Sequence, residues 1–195
     1  MLYTVNEVFY SIQGEGFWTG TPAVFIRLAG CNLACPWCDT DHSKKYSATE
    51  QELLTAVMAR SKQGYASPRA RHVVLTGGEP LIQDVVPLVE QLADNRFYVH
   101  LETNGTRELT SLLRRNIAWV TVSPKTGSEV KLASTDEVKV VLTDGVNPND
   151  YAALAPEGRR FIQPCSEDFP PAIQYVKEHP QWRLSIQLHK VLGLR

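Results

Sequence analysis

The stretch Ala23–Cys38 (AVFIRLAGCNLACPWC) decides how this chain is read: an apolar, β-branched run ends in glycine and opens directly onto three cysteines, Cys31, Cys35 and Cys38. Ala23–Ala29 is the pattern of a buried strand, and the loop after it carries the unusual side chains. Working outward, the runs His72–Thr76, Phe97–Thr103, Ala118–Ser123, Glu137–Thr143, Arg160–Gln163 and Trp182–Gln187 repeat that pattern and also end in Gly, Pro or Asn punctuation. Helical patterns lie between them. Ser47 and Glu50 have capping-box spacing ahead of Leu53, Leu54, Val57 and Met58, and Leu81, Val85, Leu88 and Leu92 share one helical face. Alternation of strand and helix implies parallel strands joined by crossover helices.

A closed eight-unit barrel takes about 250 residues, so a chain of 195 residues has room for about six units. The expected architecture is α/β: an incomplete, TIM-like barrel of about six parallel strands with a reduced set of helices, forming a single domain over residues 1–195. Ser123–Glu137 has little helical periodicity and is predicted to cross as loop. In such folds ligands sit beyond the carboxyl ends of the strands, and here those ends read LAGC, LTGGEP, ETNGT, SPK and QPC, which gathers the unusual residues on one rim.

Twenty Lys and Arg against 21 Asp and Glu leave a formal charge of -1, so no global field recruits nucleic acid or an anionic membrane. The N-terminus, MLYTVNEVFYSIQGEG, lacks a basic segment followed by an apolar one, and no apolar run approaches the ~18 residues of a membrane span. A cytoplasmic protein is expected. With Cys165 standing apart from the clustered three, the cysteines do not read as a secreted disulfide framework.

Cys31, Cys35 and Cys38 offer three thiolates on one loop. A 4Fe-4S cluster held by three cysteines keeps one iron open to a ligand, as a reactive cluster requires. The competing possibility is structural zinc, with His42 or Asp39 as the fourth ligand. Gly77 and Gly78 would let backbone approach a ligand closely, or simply make a turn in which Glu79 and Pro80 begin a helix. Arg27 interrupts an apolar strand, where a charge is costly unless paired. It suits a carboxylate ligand, or else an ion pair with Glu15 or Glu102.

The spacing, with Trp37 before the last cysteine, resembles the signature of the radical S-adenosylmethionine (SAM) superfamily. The resemblance extends over the whole chain. SIQGEG (Ser11–Gly16), FIRLAGCNLACPWCDT (Phe25–Thr40), LTGGEP (Leu75–Pro80), ETNGT (Glu102–Thr106), SPK (Ser123–Lys125), QPC (Gln163–Cys165) and QLHK (Gln187–Lys190) are similar, in order, to the 7-carboxy-7-deazaguanine synthase family.

This resemblance implies a lyase of queuosine and 7-deazapurine biosynthesis. It would convert 6-carboxy-5,6,7,8-tetrahydropterin to 7-carboxy-7-deazaguanine with loss of ammonia, using a 4Fe-4S cluster on Cys31, Cys35 and Cys38, SAM, and Mg2+ on Thr40. The SAM contacts it implies are Trp37, Cys38, Asp39, Gly78, Ser123, Pro124, Lys125, Gln163, Pro164, Cys165 and Ser166, with Cys165 a buried thiol outside the cluster. The substrate contacts are Ile12, Gln13, Gly14, Glu15, Arg27, Thr76, His189 and the terminal carboxylate of Arg195. Glu102 and Asn104 are expected to organise the site, while Glu79 and Lys190 receive no individual role. A reducing partner such as flavodoxin is implied, and the open edges of an incomplete barrel favour a homodimer. Another radical SAM enzyme, such as a glycyl-radical activase, and a non-catalytic zinc-binding module are the alternatives. The chain shows no stretch set apart as a protein- or tRNA-binding domain, which counts against the first.

Overall fold

Alternation of side chains along the strands sets the architecture of the computed structural model, which describes residues 1–62 and 70–194. In β2 (Pro22–Leu28), Val24, Ile26 and Leu28 face helices, while Ala23, Phe25 and Arg27 face the opposite way. The same two-residue period runs through β4 (His72–Gly77), β5 (Tyr98–Thr103), β6 (Trp119–Val122), β7 (Glu137–Leu142) and β8 (Arg160–Pro164). Their outward residues Val73, Leu75, Val99, Leu101, Val120 and Val122 form one core with Leu53, Leu54 and Val57 of α1 (Glu50–Ser61) and Leu88, Val89 and Leu92 of α2 (Val86–Asp94). Val138, Val140 and Ile162 form a second with Ala172 of α4 (Phe169–Glu178). Each fully buried Val or Leu contributes roughly 1.5–3 kcal/mol relative to exposure. The inward face is where polar residues collect.

One sheet of nine strands results, in the order β3-β1-β2-β4-β5-β6-β7-β8-β9. From β2 through β9 (Arg183–Leu184) every pairing is parallel, which bears out the partial barrel. The crossing from β6 to β7 is loop, as the sequence indicated. A short α3 (Ser111–Arg114) precedes β6. The two ends of the sheet, β3 and β9, do not pair with each other.

Several expectations are corrected. β1 (Leu2–Ile12), antiparallel to β2, and β3 (Tyr46–Thr49), antiparallel to β1, were not among the expected strands. Ser47 lies in β3 opposite Thr4, so the capping box falls two residues later, with the Thr49 hydroxyl accepting from the Glu52 amide and the Glu52 carboxylate accepting from the Thr49 amide. Leu81 does not share a helix with Leu88. Pro80–Ile82 is a short 3-10 turn, and Gln83 leaves it to bond the backbone of Thr4 and Ala29, so that α2 begins only at Val86 with Pro87 in its first turn. The last strand is cut to Arg183–Leu184 because the chain then turns inward, where Ser185 accepts a hydrogen bond from the Gly16 amide. No described helix is long and apolar enough to cross a membrane.

Candidate active site

The loop Gln13–Gly20, which follows β1, turns inward to Glu137 and Ser185. Gln13 and Thr21 pair through their backbones, the Leu188 amide donates to the Gly14 carbonyl at 2.9 Å, and the Phe17 amide donates to Glu137 at 3.1 Å. Phe17 stacks on Trp119, and Trp18 packs edge-on to Trp119 and His100 and tilted to His72, forming an aromatic floor. Gly14 is required because a Cβ there would meet the His189 ring 2.2 Å away. Above this floor, at the carboxyl ends of the parallel strands, lies a cavity of about 600 Å³, within the usual range for small-molecule sites.

Each strand delivers its inward-facing polar residue to that cavity: Arg27 from β2, Thr76 from β4, Glu102 from β5, Lys139 from β7 and Gln163 from β8, with Ser123 and Lys125 just beyond β6. Cys31, Cys35, Trp37, Cys38, Asp39, Thr40, Gly78, Ile12, Gln13, Gly14, Glu15 and His189 line the same space. Pro124 and Pro164 adjoin lining residues without lining it themselves, Cys165 and Ser166 are not among the lining residues, and Arg195 lies outside the described residues. Cys165, expected to be buried, is partly exposed because β8 ends at Pro164 and the chain turns through Ser166 with φ of 49°.

The cysteine loop is fixed from several directions. The Gly30 amide donates to the His42 carbonyl at 2.8 Å, and Asn104 donates to Asn32 at 3.2 Å. Gly78 packs against it so closely that a Cβ would sit 2.3 Å from the Gly30 carbonyl oxygen and 2.6 Å from the Cys31 Cβ. The glycine is therefore needed for strand-end packing as well as for ligand approach. Glu79 is fully buried, with its carboxylate accepting from the Leu81 and Asn104 amides and the Thr103 hydroxyl. That ties the end of β4 to the end of β5, the role the sequence left open.

The three clustered cysteines carry free thiols on one loop facing the cavity. Among the described residues, no group of three or more His, Cys, Asp or Glu is arranged to hold a single metal ion. Asp39, one of the two candidates for a fourth zinc ligand, is committed elsewhere: Lys190 donates to it at 2.6 Å and Gln187 at 3.2 Å. Three thiolates without a fourth protein donor are the ligand set of a cluster with one open iron.

Beside the thiols, Lys125 donates to Ser123 at 2.7 Å and its Nζ lies 5.3 Å from the centre of the Trp37 ring. Burial, and then the charge of Lys139, pull the Lys125 ammonium below the ordinary lysine range. It is therefore suited to receive an anionic ligand group. The side-chain carbonyl of Gln163 is buried and has no hydrogen-bond partner, so the site holds an acceptor waiting for a ligand N–H. An amino-acid carboxylate at one end and an exocyclic amine at the other are what SAM presents, so these residues fit it.

Arg27 is paired, but with neither carboxylate the sequence suggested. Its Nε donates to Glu7 on β1 at 3.0 Å, and its guanidinium lies 5.7 Å from the Phe9 ring centre. Glu15 and Glu102 instead share Lys139, which is 4% exposed. Burial works against every charge here. Yet Lys139 keeps Glu15 below the usual carboxylate range, and Glu102, Glu15 and Glu137 together hold Lys139 above the ordinary lysine range. Sequence reasoning missed Lys139, Gln187 and Glu7. The signal for Lys139 was present in Glu137–Leu142, where it stands between Val138 and Val140 on the inward register.

The Radical SAM superfamily pattern matches residues 25–154. The chain is 43% identical over 196 residues to a 7-carboxy-7-deazaguanine synthase from Bacteroides thetaiotaomicron, spanning all of both chains. It is 38% identical over 234 residues to the protein of the same name from Escherichia coli K12, again with full coverage of both. The crystal structure of QueE from Escherichia coli superimposes with a TM-score of 0.77 at 35% identity, covering 97% of this chain and 95% of that one.

Proposed function

We propose, on the premise that the chain belongs to the radical SAM superfamily and within it to the 7-carboxy-7-deazaguanine synthases, that its cavity divides into a SAM half and a pterin half. The chain is a radical SAM enzyme that uses a 4Fe-4S cluster and SAM, which favours this reading over a zinc-binding module, and its full-length likeness to 7-carboxy-7-deazaguanine synthases favours it over a glycyl-radical activase. The substrate we assign is 6-carboxy-5,6,7,8-tetrahydropterin, leaving as 7-carboxy-7-deazaguanine and ammonia. When bound, the cluster and SAM would supply the radical chemistry that activates the C6–H bond of the substrate.

The protein's own residues bind, orient and exclude water. Cys31, Cys35 and Cys38 hold the cluster. Lys125 and Ser123 receive the SAM carboxylate and ribose, Gln163 accepts from the adenine amine, and Trp37 with the backbone at Cys38, Asp39 and Gly78 walls the cofactor. Pro124, Pro164, Cys165 and Ser166 shape the chain beside these contacts. In the other half, Arg27 offers its guanidinium to the substrate carboxylate, Thr76 and Ile12 border the ring, and Gln13, Gly14, Glu15 and His189 face its polar edge. Thr40, which lines the cavity, would be through its hydroxyl the protein ligand of a magnesium ion that helps bind the substrate carboxylate. The whole chain acts as one radical SAM domain, cytoplasmic and homodimeric, reduced by a partner such as flavodoxin.

The observation that carries the assignment is the coexistence, in one cavity, of three free thiols, a buried unpartnered glutamine carbonyl and an arginine that accounts for a carboxylated ligand. Product mass spectrometry after anaerobic incubation with the carboxylated pterin, SAM and a reductant tests it. Formation of 7-carboxy-7-deazaguanine with one ammonia is expected, whereas SAM cleavage without a deazapurine product would defeat the assignment.

A further inference from the structure

Lys139 lies at the base of the pterin half, and none of the roles assigned so far uses it. Its inward register on β7 places its ammonium against Oε2 of Glu15 and 3.7 Å from Oε2 of Glu102. The second oxygen of each carboxylate is also engaged: Gln187 donates to Oε1 of Glu15 at 2.9 Å, and Gln13 donates to Oε1 of Glu102 at 2.7 Å. Residues from the loop after β1, from β5, from β7 and from the C-terminal segment therefore fix two carboxylates around one cation, and Gln13, Glu15, Glu102, Lys139 and Gln187 all face the cavity.

We propose that Lys139 is a positioning residue for substrate recognition: it holds Glu15 and Glu102 aimed as a pair of acceptors for a ligand edge bearing adjacent N–H donors, such as the amino-pyrimidinone edge of a bicyclic heterocycle. This rests on the reading that a carboxylated pterin is the substrate. Two part-buried carboxylates on one cation are held in place by it, and like charges facing one cavity repel when that cation is removed. With one ammonium between them the trio carries a net negative charge that attracts donors. A ligand presenting an acceptor oxygen at that place would leave both carboxylates desolvated and unpaired, a mismatch that such sites reject strongly.

Among the described residues Lys139 alone pairs with both Glu15 and Glu102, and the other cations near it act on Glu15 only at longer range. Glu137, at the preceding inward position of β7, is acidic and pushed up to about 7 chiefly by burial. Lys125 lies toward the SAM half and repels Lys139, while His189 of α5 (Leu188–Val191) faces Glu15.

The test is equilibrium binding of 6-carboxypterin and of its 2-oxo analogue, 6-carboxylumazine, to the cluster-loaded protein with SAM present. Wild type is expected to prefer the amino compound by about 100-fold or more. Lys139→Met is expected to weaken 6-carboxypterin by about tenfold or more, to shrink the preference to below about tenfold, and to weaken binding further as pH falls through neutrality, because a carboxyl then takes up a proton. Lys139→Arg, which keeps the cation, restores the preference. If Lys139→Met does not fold, Lys139→Met/Glu102→Gln, with one carboxylate and no cation, carries the same test. A variant lacking the lysine that keeps the full preference and a flat pH profile, whatever its melting temperature, overturns the proposal and leaves the substrate reading intact. Wild type that binds neither compound overturns the substrate reading itself, and this proposal with it.

Discussion

Asp39 and Lys190 join the cysteine loop to the C-terminal helix, with Nζ 2.6 Å from Oδ2, and Gln187 bridges the same Asp39 oxygen to Glu15. The Asp39 side chain is thus held through Oδ2 by the C-terminal segment, while its Oδ1 accepts from the neighbouring Thr40 hydroxyl at 3.4 Å, the hydroxyl we propose as the magnesium ligand.

From that follows the behaviour of Thr40→Val, which keeps the shape and removes the oxygen. Turnover of the pterin is expected to fall by about 100-fold and to lose its response to added magnesium, because the substrate carboxylate is no longer clamped. Thr40→Ser keeps the response. Steady-state rates across a magnesium titration decide the matter, and a Thr40→Val enzyme that still responds places the ion elsewhere.

Alanine at Cys31, Cys35 or Cys38 is expected to remove the iron-sulfur absorption and SAM cleavage together. Cys165→Ala retains both, since its sulfur lies beside Ser166, 3.7 Å from that hydroxyl, and outside the cavity lining. Iron content and visible spectra of anaerobically purified variants check this.

Arg27 is oriented by Glu7, so Arg27→Lys and Glu7→Gln are expected to act on the same step. The lysine variant loses two-pronged carboxylate recognition and raises KM for the pterin by about 10- to 100-fold with the cluster intact. Glu7→Gln raises it less. A large loss of thermal stability with unchanged KM would make the pair structural instead.

His100, bonded to His72 at 2.8 Å on the barrel floor, is held neutral by burial first and by His72 second, its pKa falling from 6.5 to about 3. Between those values the unfolded chain binds a proton that the folded chain refuses. Its contribution to stability is therefore present above pH 6.5 and is lost as pH falls toward 3, by up to about 1.4 kcal/mol per pH unit. Denaturation midpoints of wild type and His100→Gln, compared across pH 7 to about 4.5, are expected to show a shallower slope for the variant. Equal slopes would refute the assignment.

The parallel strands were legible because β-branched runs ending in glycine or proline carry their own punctuation, and the rim residues Arg27, Thr76, Glu102, Ser123 and Gln163 were legible because each breaks or ends such a run. Lys139 obeys the same register as Arg27 but was hidden, since a lysine between valines reads equally well as an exposed edge until the loop carrying Glu15 is seen to fold inward. β1 was hidden for a different reason. Its partner β2 lies across a turn of Gly, Thr and aromatic residues that reads as a ligand loop, and its antiparallel pairing departs from the strand-helix alternation found elsewhere. The partner of Arg27 was mistaken because carboxylates near a strand end looked nearer than Glu7, which faces Arg27 directly in the β1–β2 register.

The most direct measurement of the central claim uses the carboxylated pterin carrying deuterium at C6, with unlabelled SAM, a reductant and the cluster-loaded protein, followed by mass analysis of SAM, 5'-deoxyadenosine and the deazapurine product. The account predicts that deuterium from C6 appears in the 5'-deoxyadenosyl group as 7-carboxy-7-deazaguanine forms. Formation of the product with no deuterium in SAM or 5'-deoxyadenosine would contradict it.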